Sequence, residues 1–339
     1  MDPIAPEPAA PPIHLVGRFD DRFAGAEREL LALRDALQGC CALQLWSVVP
    51  PHAWYAGQGV QAVQPFGGRF PRTGVLVWGG AHVAPAVWLK YTRFARVMLH
   101  CNLASWERFF ALIEILRDST ALDPELVFVS QALRLTAGLP GHVVYSPMDI
   151  EPLLQAAGAR RPAAGAPLTV GRISRDAPDK HHPQDPDLYR MLTAAGWRVR
   201  IMGGTCLAPQ LAGVAGVELL AAGAEEVADF YQSLDVFFYR TGSTVEAYGR
   251  VVAEAMASGL PVVAGHLGGY AEVVSPGETG FLVQSQEEAW EALDRLAHDP
   301  SLRASMGQAG MRAAQTLHGG EALQTLRTLY CGAAPSLTS

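Results

Sequence analysis

Short runs of aliphatic and β-branched residues recur along the chain. They are separated by longer stretches whose apolar residues return every three or four positions. The runs at 13–17, 43–48, 75–78, 97–101, 126–129 and 143–145 read as buried strands. Between them, 27–37 places Leu30, Leu31, Leu33 and Leu37 on one helical face, and 106–116 has the same period. The segment QAAGARRPAAGAPL, 155–168, then breaks the pattern with Ala, Gly, Pro and Arg, and reads as a linker. Beyond it the alternation restarts, with strands expected at 168–170, 199–202, 217–220, 236–239, 261–264 and 281–283. Helices are expected at 187–195, 225–234, 249–258, 287–298 and 301–316. This alternation predicts an α/β protein of two Rossmann-like, doubly wound domains, 13–154 and 168–318, joined by a linker at 155–167. Ligands of such sheets bind beyond the carboxyl ends of the strands, here in the expected cleft between domains. Residues 1–12 read as a disordered tail without the features of a signal peptide. The segment 319–339 holds a last helix with Leu323, Leu326, Leu329 and Tyr330, which either crosses back to the first domain or caps the second.

Composition narrows the class. Of 339 residues 49% are hydrophobic and 17% charged, as in a soluble globular protein rather than a disordered one. The net charge of −7 argues against a nucleic-acid partner. Up to residue 150 the chain has 12 Lys+Arg against 13 Asp+Glu, and the remainder has 14 against 20. A broad basic membrane-binding face is therefore not expected, although Lys90, Arg93 and Arg96 form a local cluster. The longest uncharged apolar run, 75–89, is interrupted by Gly79, Gly80 and Pro85 and is shorter than the roughly 20 residues of a membrane helix. Cysteines 40, 41, 101, 206 and 331 have no C-x-x-C spacing, so neither zinc nor disulfides are indicated. A cytoplasmic location follows as the expectation, with peripheral attachment at the inner membrane face as an option.

Several motifs fail. Neither of the two lysines, Lys90 and Lys180, sits in the Gly-Lys-Ser/Thr of a P-loop. Gly57-x-Gly59-x-x-Ala62 has the spelling of a dinucleotide fingerprint but follows Pro50-Pro51-His52 rather than a strand. Asp185-Pro186-Asp187 after His181-His182 suits the start of a helix better than a metal site. No metal is expected.

Two other groups hold together. Arg172 closes the first strand after the linker, and Lys180 follows across a polar loop. A guanidinium grips phosphate oxygens in a planar, bidentate way, and an ammonium acts as a point charge, so the pair suits a diphosphate. Farther on, Glu246 precedes Gly249, and Glu254 borders the apolar face formed by Val251, Val252, Ala255 and Met256. The amides of Gly249, Arg250 and Val251 at a helix start suit phosphate oxygens. Carboxylates accept from vicinal hydroxyls. A nucleotide sugar offers diphosphate, ribose diol and sugar hydroxyls together.

Glu246-x7-Glu254 with Ala255-Met256-Ala257-Ser258-Gly259-Leu260-Pro261-Val262-Val263 resembles the signature of family 4 retaining glycosyltransferases of the GT-B fold. The likeness continues through 268–274 and 280–283, and includes VGR…K at 170–180 and Gly203-Gly204. It covers most of 168–284 and is weaker in the first domain, at Gly25-Ala26-Glu27 and 127–132. The resemblance implies that Arg172 and Lys180 hold the donor diphosphate, that Glu254 binds the ribose, and that Glu246 binds the transferred sugar. Gly249, Arg250, Val251, Gly204 and, from the other domain, Gly25 would line the donor. His100 would stand near the donor sugar, with His82 as its competitor. The long Arg172-to-Lys180 spacing, Tyr248 in place of phenylalanine and Ser146-Pro147-Met148-Asp149 depart from the family pattern.

The implied activity is transfer, with retention and without a metal, from a nucleotide diphosphate sugar to a saccharide, lipid-linked or small-molecule acceptor, with no further cofactor. Sugar-nucleotide epimerisation, phosphorolysis and non-catalytic sugar-nucleotide binding are the alternatives. Of the seven tryptophans, 46, 54, 78, 88 and 106 fall in the first domain, and Trp54-Tyr55 is the candidate to stack on an acceptor.

Overall fold

The computed structural model describes residues 11–159, 166–243 and 245–332. The first sheet contains β1 (Ile13–Gly17), β2 (Leu43–Ser47), β3 (Gln61–Ala62), β4 (Thr73–Trp78), β5 (Arg93–Cys101), β6 (Glu125–Phe128) and β7 (His142–Val143). Their order is β3-β2-β1-β4-β5-β6-β7, and every pair is parallel. The second sheet contains β8 (Thr169–Ile173), β9 (Arg198–Met202), β10 (Val217–Leu220), β11 (Val236–Tyr239), β12 (Val262–Gly265) and β13 (Gly280–Val283). It runs β10-β9-β8-β11-β12-β13, again all parallel.

The strands β1 and β11 are buried at every position, and such strands need helices on both sheet faces. In the first unit Leu15, Val77 and Met98 pack with Leu30 and Leu33 of the helix Gly25–Leu37. In the second, Val170, Val199, Ile201 and Phe238 pack with Leu188 of the helix Asp185–Ala194 and Leu293 of the helix Gln286–His298. Both sheets reverse their winding after their third strand, so the switch lies between β1 and β4 in the first and between β8 and β11 in the second. Each reversal leaves a crevice beyond the carboxyl ends of that strand pair.

The chain divides into one unit ending at Pro147 and resuming at Glu321, and a second unit over Met148–Gly320, with Ser130–Ala132 grouped with the second. This corrects the linker. A helix, Glu151–Ala159, occupies its first residues and belongs to the second unit. Ile150 and Leu153 are buried there, so apolar anchors outweigh the loop-like composition that follows. Residues 160–165 of the expected linker and 1–10 of the expected tail lie outside the described residues. Pro12 is ordered, its carbonyl accepting from the Val75 amide at 2.9 Å.

The last helix, Gly320–Cys331, buries Leu326 and Tyr330 in the first unit's core. Gly57-to-Ala62 joins the helix Ala53–Gly57 to the edge strand β3, not a strand to a helix. Tyr55, expected with Trp54 to stack on an acceptor, is fully buried edge-on to Phe19 at 5.1 Å, so it offers no face to one.

Candidate functional site

The crevice of the second sheet is framed by the ends of β8 and β11. Arg172 lies in β8, and Tyr239, the last residue of β11, is followed by Arg240. Lys180 Nζ donates to Glu246 Oε1 at 2.7 Å, and the Tyr239 hydroxyl donates to the same oxygen at 2.8 Å. The sequence pair Lys180 and Glu246 is thus joined, with Tyr239 as a third member. Burial first, then the Glu246 charge, pushes the Tyr239 hydroxyl well above its ordinary range, so it remains a donor. Nothing in the sequence pattern of β11 marked Tyr239, because the end of a fully apolar strand reads as core.

Arg172 does not present the open guanidinium that its predicted role requires. Its side chain is 1% exposed. Nη1 donates to the Arg240 carbonyl at 2.9 Å, Nη2 to the Lys180 carbonyl at 2.5 Å, and the group lies 4.7 Å from the Tyr239 ring centre. It therefore ties the 178–182 loop to the end of β11 and lies against Tyr239. Asp185, fully buried, accepts from Arg240 at 2.9 and 2.6 Å and from Arg172 at 3.4 Å. Burial pushes the Asp185 carboxyl up, and the Arg240 and Arg172 charges pull it back. Two guanidiniums on one carboxylate leave this buried cluster with one excess positive charge. Arg240 and Asp185 were missed as site residues, since Asp185 reads as a helix start and Arg240 belongs to no recognisable spacing.

His181 is held down to about 4, by burial first and by the Arg172 charge second, and is neutral. Its Nε2–H donates to the Gly203 carbonyl at 3.0 Å. Gly203 has φ +80°, and a Cβ there would stand 1.9 Å from the Ser174 carbonyl oxygen, so only glycine allows this approach. Gly204, predicted to line the donor, instead donates its amide to Leu220 O at 3.0 Å. That N–H belongs to the end of the sheet and is not offered to a ligand.

Glu254 stands in the helix Arg250–Ala257 and accepts from the Tyr231 hydroxyl at 3.2 Å. Gly249 caps this helix with φ +81°. A Cβ at 249 would come within 2.6 Å of the Tyr270 ring, so the turn from Glu246 into the helix depends on glycine. The Gly269 amide donates to the Glu246 carbonyl at 2.8 Å, which fixes the backbone that carries the carboxylate. Arg250 and Val251 form the first turn of this helix. Tyr248, the departure from phenylalanine, is buried with its hydroxyl 2.7 Å from His318 Nε2.

In the first unit Gly25 opens the helix Gly25–Leu37, with nothing within 4 Å of where a Cβ would sit. His100 is corrected. Its Nδ1 is 2.8 Å from Glu29 Oε1 and its Nε2 2.6 Å from the Tyr330 hydroxyl, and the residue is 2% exposed. Nδ1 is thus taken up by the helix Gly25–Leu37 and Nε2 by the last helix, which leaves neither ring nitrogen for a ligand. His82, the competitor, is the accessible histidine, 23% exposed and held at 2.9 Å by the buried carboxylate of Glu27. Among the described residues no group of three or more His, Cys, Asp or Glu could hold a metal ion.

Residues 192–313 match the family model of group 1 glycosyl transferases. A D-inositol 3-phosphate glycosyltransferase of Corynebacterium aurimucosum is 38% identical over 111 residues, 32% of this chain and 26% of that protein. A GDP-mannose-dependent alpha-mannosyltransferase of Mycobacterium tuberculosis is 34% identical over 137 residues, 40% of this chain and 34% of that one. The chain thus aligns with only a minor part of the length of these relatives. Among solved structures, Anabaena HepE in complex with UDP and glucose superposes with a TM-score of 0.72 at 16% identity, over 93% of this chain and 97% of that one. WaaG, a glycosyltransferase involved in lipopolysaccharide biosynthesis, gives 0.66 at 11% identity, over 95% and 100%. The chain has the GT-B fold, and its residues 192–313 are similar to the group 1 glycosyl transferases.

Proposed function

We propose that this protein is a retaining glycosyltransferase of family 4, moving a sugar from a nucleotide diphosphate sugar to a saccharide, lipid-linked or small-molecule acceptor. The observation that carries the reading is the Lys180–Glu246–Tyr239 group above a buried cluster with one excess positive charge, at the switch point of the second sheet. The Glu246-x7-Glu254 spacing and the group 1 match over the same unit support it.

Breaking the bond to the anomeric carbon leaves negative charge on the departing diphosphate. Lys180 and the amides of Gly249 to Val251 would meet that charge directly. Arg172 and Arg240 would act on it from below, through a field strengthened by burial. Because these groups supply the positive charge, we read the transfer as metal-independent. Glu254 would accept from the ribose hydroxyls and Glu246 from the transferred sugar. Within the first unit, Gly25 remains the residue that the resemblance singles out, and His82 with Glu27 replaces His100 as its candidate histidine. The acceptor does not carry over from the inositol phosphate relatives, because the alignment covers only 32% of this chain and 26% of that protein.

Thermal shift and donor consumption with UDP-, GDP-, ADP- and dTDP-sugars test the proposal, since a bound donor raises the melting temperature by mass action. At least one class should stabilise the protein and be turned over. No shift and no consumption with any of them would refute it.

A further inference from the structure

From Ala36 to Trp106 the chain contains no Asp or Glu, yet it carries Arg69, Arg72, Lys90, Arg93 and Arg96. Such a tract is unexpected in a protein of net charge −7. The fold gathers its cations at the amino ends of β4 and β5, the sheet edge opposite the crevice. The Arg93 amide donates to the Arg72 carbonyl at 2.7 Å, and Lys90 sits in the 3₁₀ turn Val87–Tyr91 that leads into β5. Arg72 lies 4.6 Å from the Phe70 ring centre, and Phe70 packs at 5.7 Å against the buried Trp88. That tryptophan pins the 64–72 loop and the 87–91 turn to one another.

Arg96 is the exception, turned inward onto Glu125 at 2.7 Å. Arg69, Arg72, Lys90 and Arg93 are exposed, and among the described residues none of them makes an ion pair. Hydrophobic side chains project from the same two segments. Phe66 is 108% exposed, and Val87 and Tyr91 are each 71% exposed.

We propose that this face docks the protein on an anionic lipid bilayer. Isolated rings that project among cations, with no acid in the tract, suit insertion at a headgroup layer. An acidic protein would match the cations and leave Phe66 and Tyr91 without a role. A second copy of this chain would have to bury four unpaired cations. The expectation of no broad basic face rested on summed charge, and the fold joins two clusters that are separate in sequence. The proposal is independent of the catalytic reading.

Co-sedimentation of the full chain with vesicles of phosphatidylcholine, alone or mixed with phosphatidylglycerol, tests it. Binding should require phosphatidylglycerol and weaken with salt. Each cation near the surface strengthens binding by about fivefold, so Arg69→Glu with Lys90→Glu should weaken it by at least ~25-fold. Phe66→Ser with Tyr91→Ser should weaken it as well. Both variants should melt with the parent, because the altered side chains are exposed. Absent binding, equal binding to neutral vesicles, or unchanged binding by either variant would overturn the proposal. So would retention on duplex DNA without any on vesicles, which would mark a general polyanion site.

Discussion

Replacing Asp185 with asparagine tests the buried cluster most directly. The carboxylate is fully buried and is the acceptor for Arg240 and for Arg172. Asp185→Asn leaves two guanidiniums underground without a counter-charge. Breaking a buried pair costs about 3–5 kcal/mol, because the remaining charge stays uncompensated. Arg172→Met acts differently. It strips the Lys180 and Arg240 carbonyls of their donors, at about 1–3 kcal/mol for each group left unsatisfied. It also leaves Arg240 and Asp185 as a neutral pair, which offsets part of that cost. We therefore expect Asp185→Asn to be the more damaging change, although Arg172 is the residue that the family resemblance singles out. A unit of this size loses roughly 2–4 °C of melting temperature per kcal/mol, so Asp185→Asn should lower it by roughly 6–20 °C. Calorimetry of both variants beside the parent reads the order. A lower melting point for Arg172→Met than for Asp185→Asn would refute the charge argument.

Other outcomes follow from the same geometry. Glu254→Ala should weaken nucleotide binding by roughly 10–100-fold, the worth of hydrogen bonds to a charged group, as titration calorimetry with the nucleoside diphosphate would show; unchanged affinity would remove Glu254 from the ribose. Lys180→Ala should lower kcat by about 10²–10³, and turnover at the parent rate with saturating donor would exclude it from the diphosphate. Tyr248→Phe restores the residue usual in the family yet should destabilise by about 1–3 kcal/mol, since it strands the His318 nitrogen; adding His318→Leu should recover most of the loss in denaturant melts. Burial first, then Arg172 for His181 and Arg250 for His318, holds both histidines down to about 4, against 6.5 unfolded. Between these values the unfolded chain binds more protons, so this stability is complete above pH 6.5 and is lost as pH falls toward 4. Urea midpoints that are flat across pH 4–6.5 would contradict it.

The two-unit α/β architecture was readable because parallel strands buried on both faces are continuous apolar runs, as in β11. Ends of elements were less so. In β5 the residues Arg93 to Arg96 alternate exposed and buried, and polar positions hide a strand from an apolar-run reading. The helix Glu151–Ala159 was hidden by an Ala- and Gly-rich composition that serves helix and loop alike. In the site, Lys180 was visible as one of only two lysines, across a polar loop from Arg172, and Glu246 as a carboxylate just before the Gly249 turn. His100 misled because a histidine at a strand end looks the same whether it faces a ligand or the last helix. The last helix comes from a segment 230 positions away. Asp185 was read as a helix start, which it is, but its second task depends on Arg240, 55 positions later.

The pairing of Lys180 with Glu246 bears on how a donor would enter. The ammonium and the carboxylate satisfy each other at 2.7 Å, and both side chains are mostly buried. In the proposed complex they take different partners, the ammonium a phosphate oxygen and the carboxylate a sugar hydroxyl. Donor binding is then an exchange of partners, and the pair keeps each group neutralised until the donor arrives. Tyr239 makes the exchange feasible, since it continues to donate to Glu246 after Lys180 turns away. The Arg172 guanidinium holds the Tyr239 ring and the Lys180 carbonyl together. It thus keeps the carboxylate's remaining donor and the lysine's backbone in place while the ammonium moves. On this reasoning Tyr239→Phe should leave the fold almost intact and weaken the sugar-bearing donor more than the bare nucleoside diphosphate. Equal weakening of both ligands would show that Tyr239 acts on the nucleotide and not through Glu246.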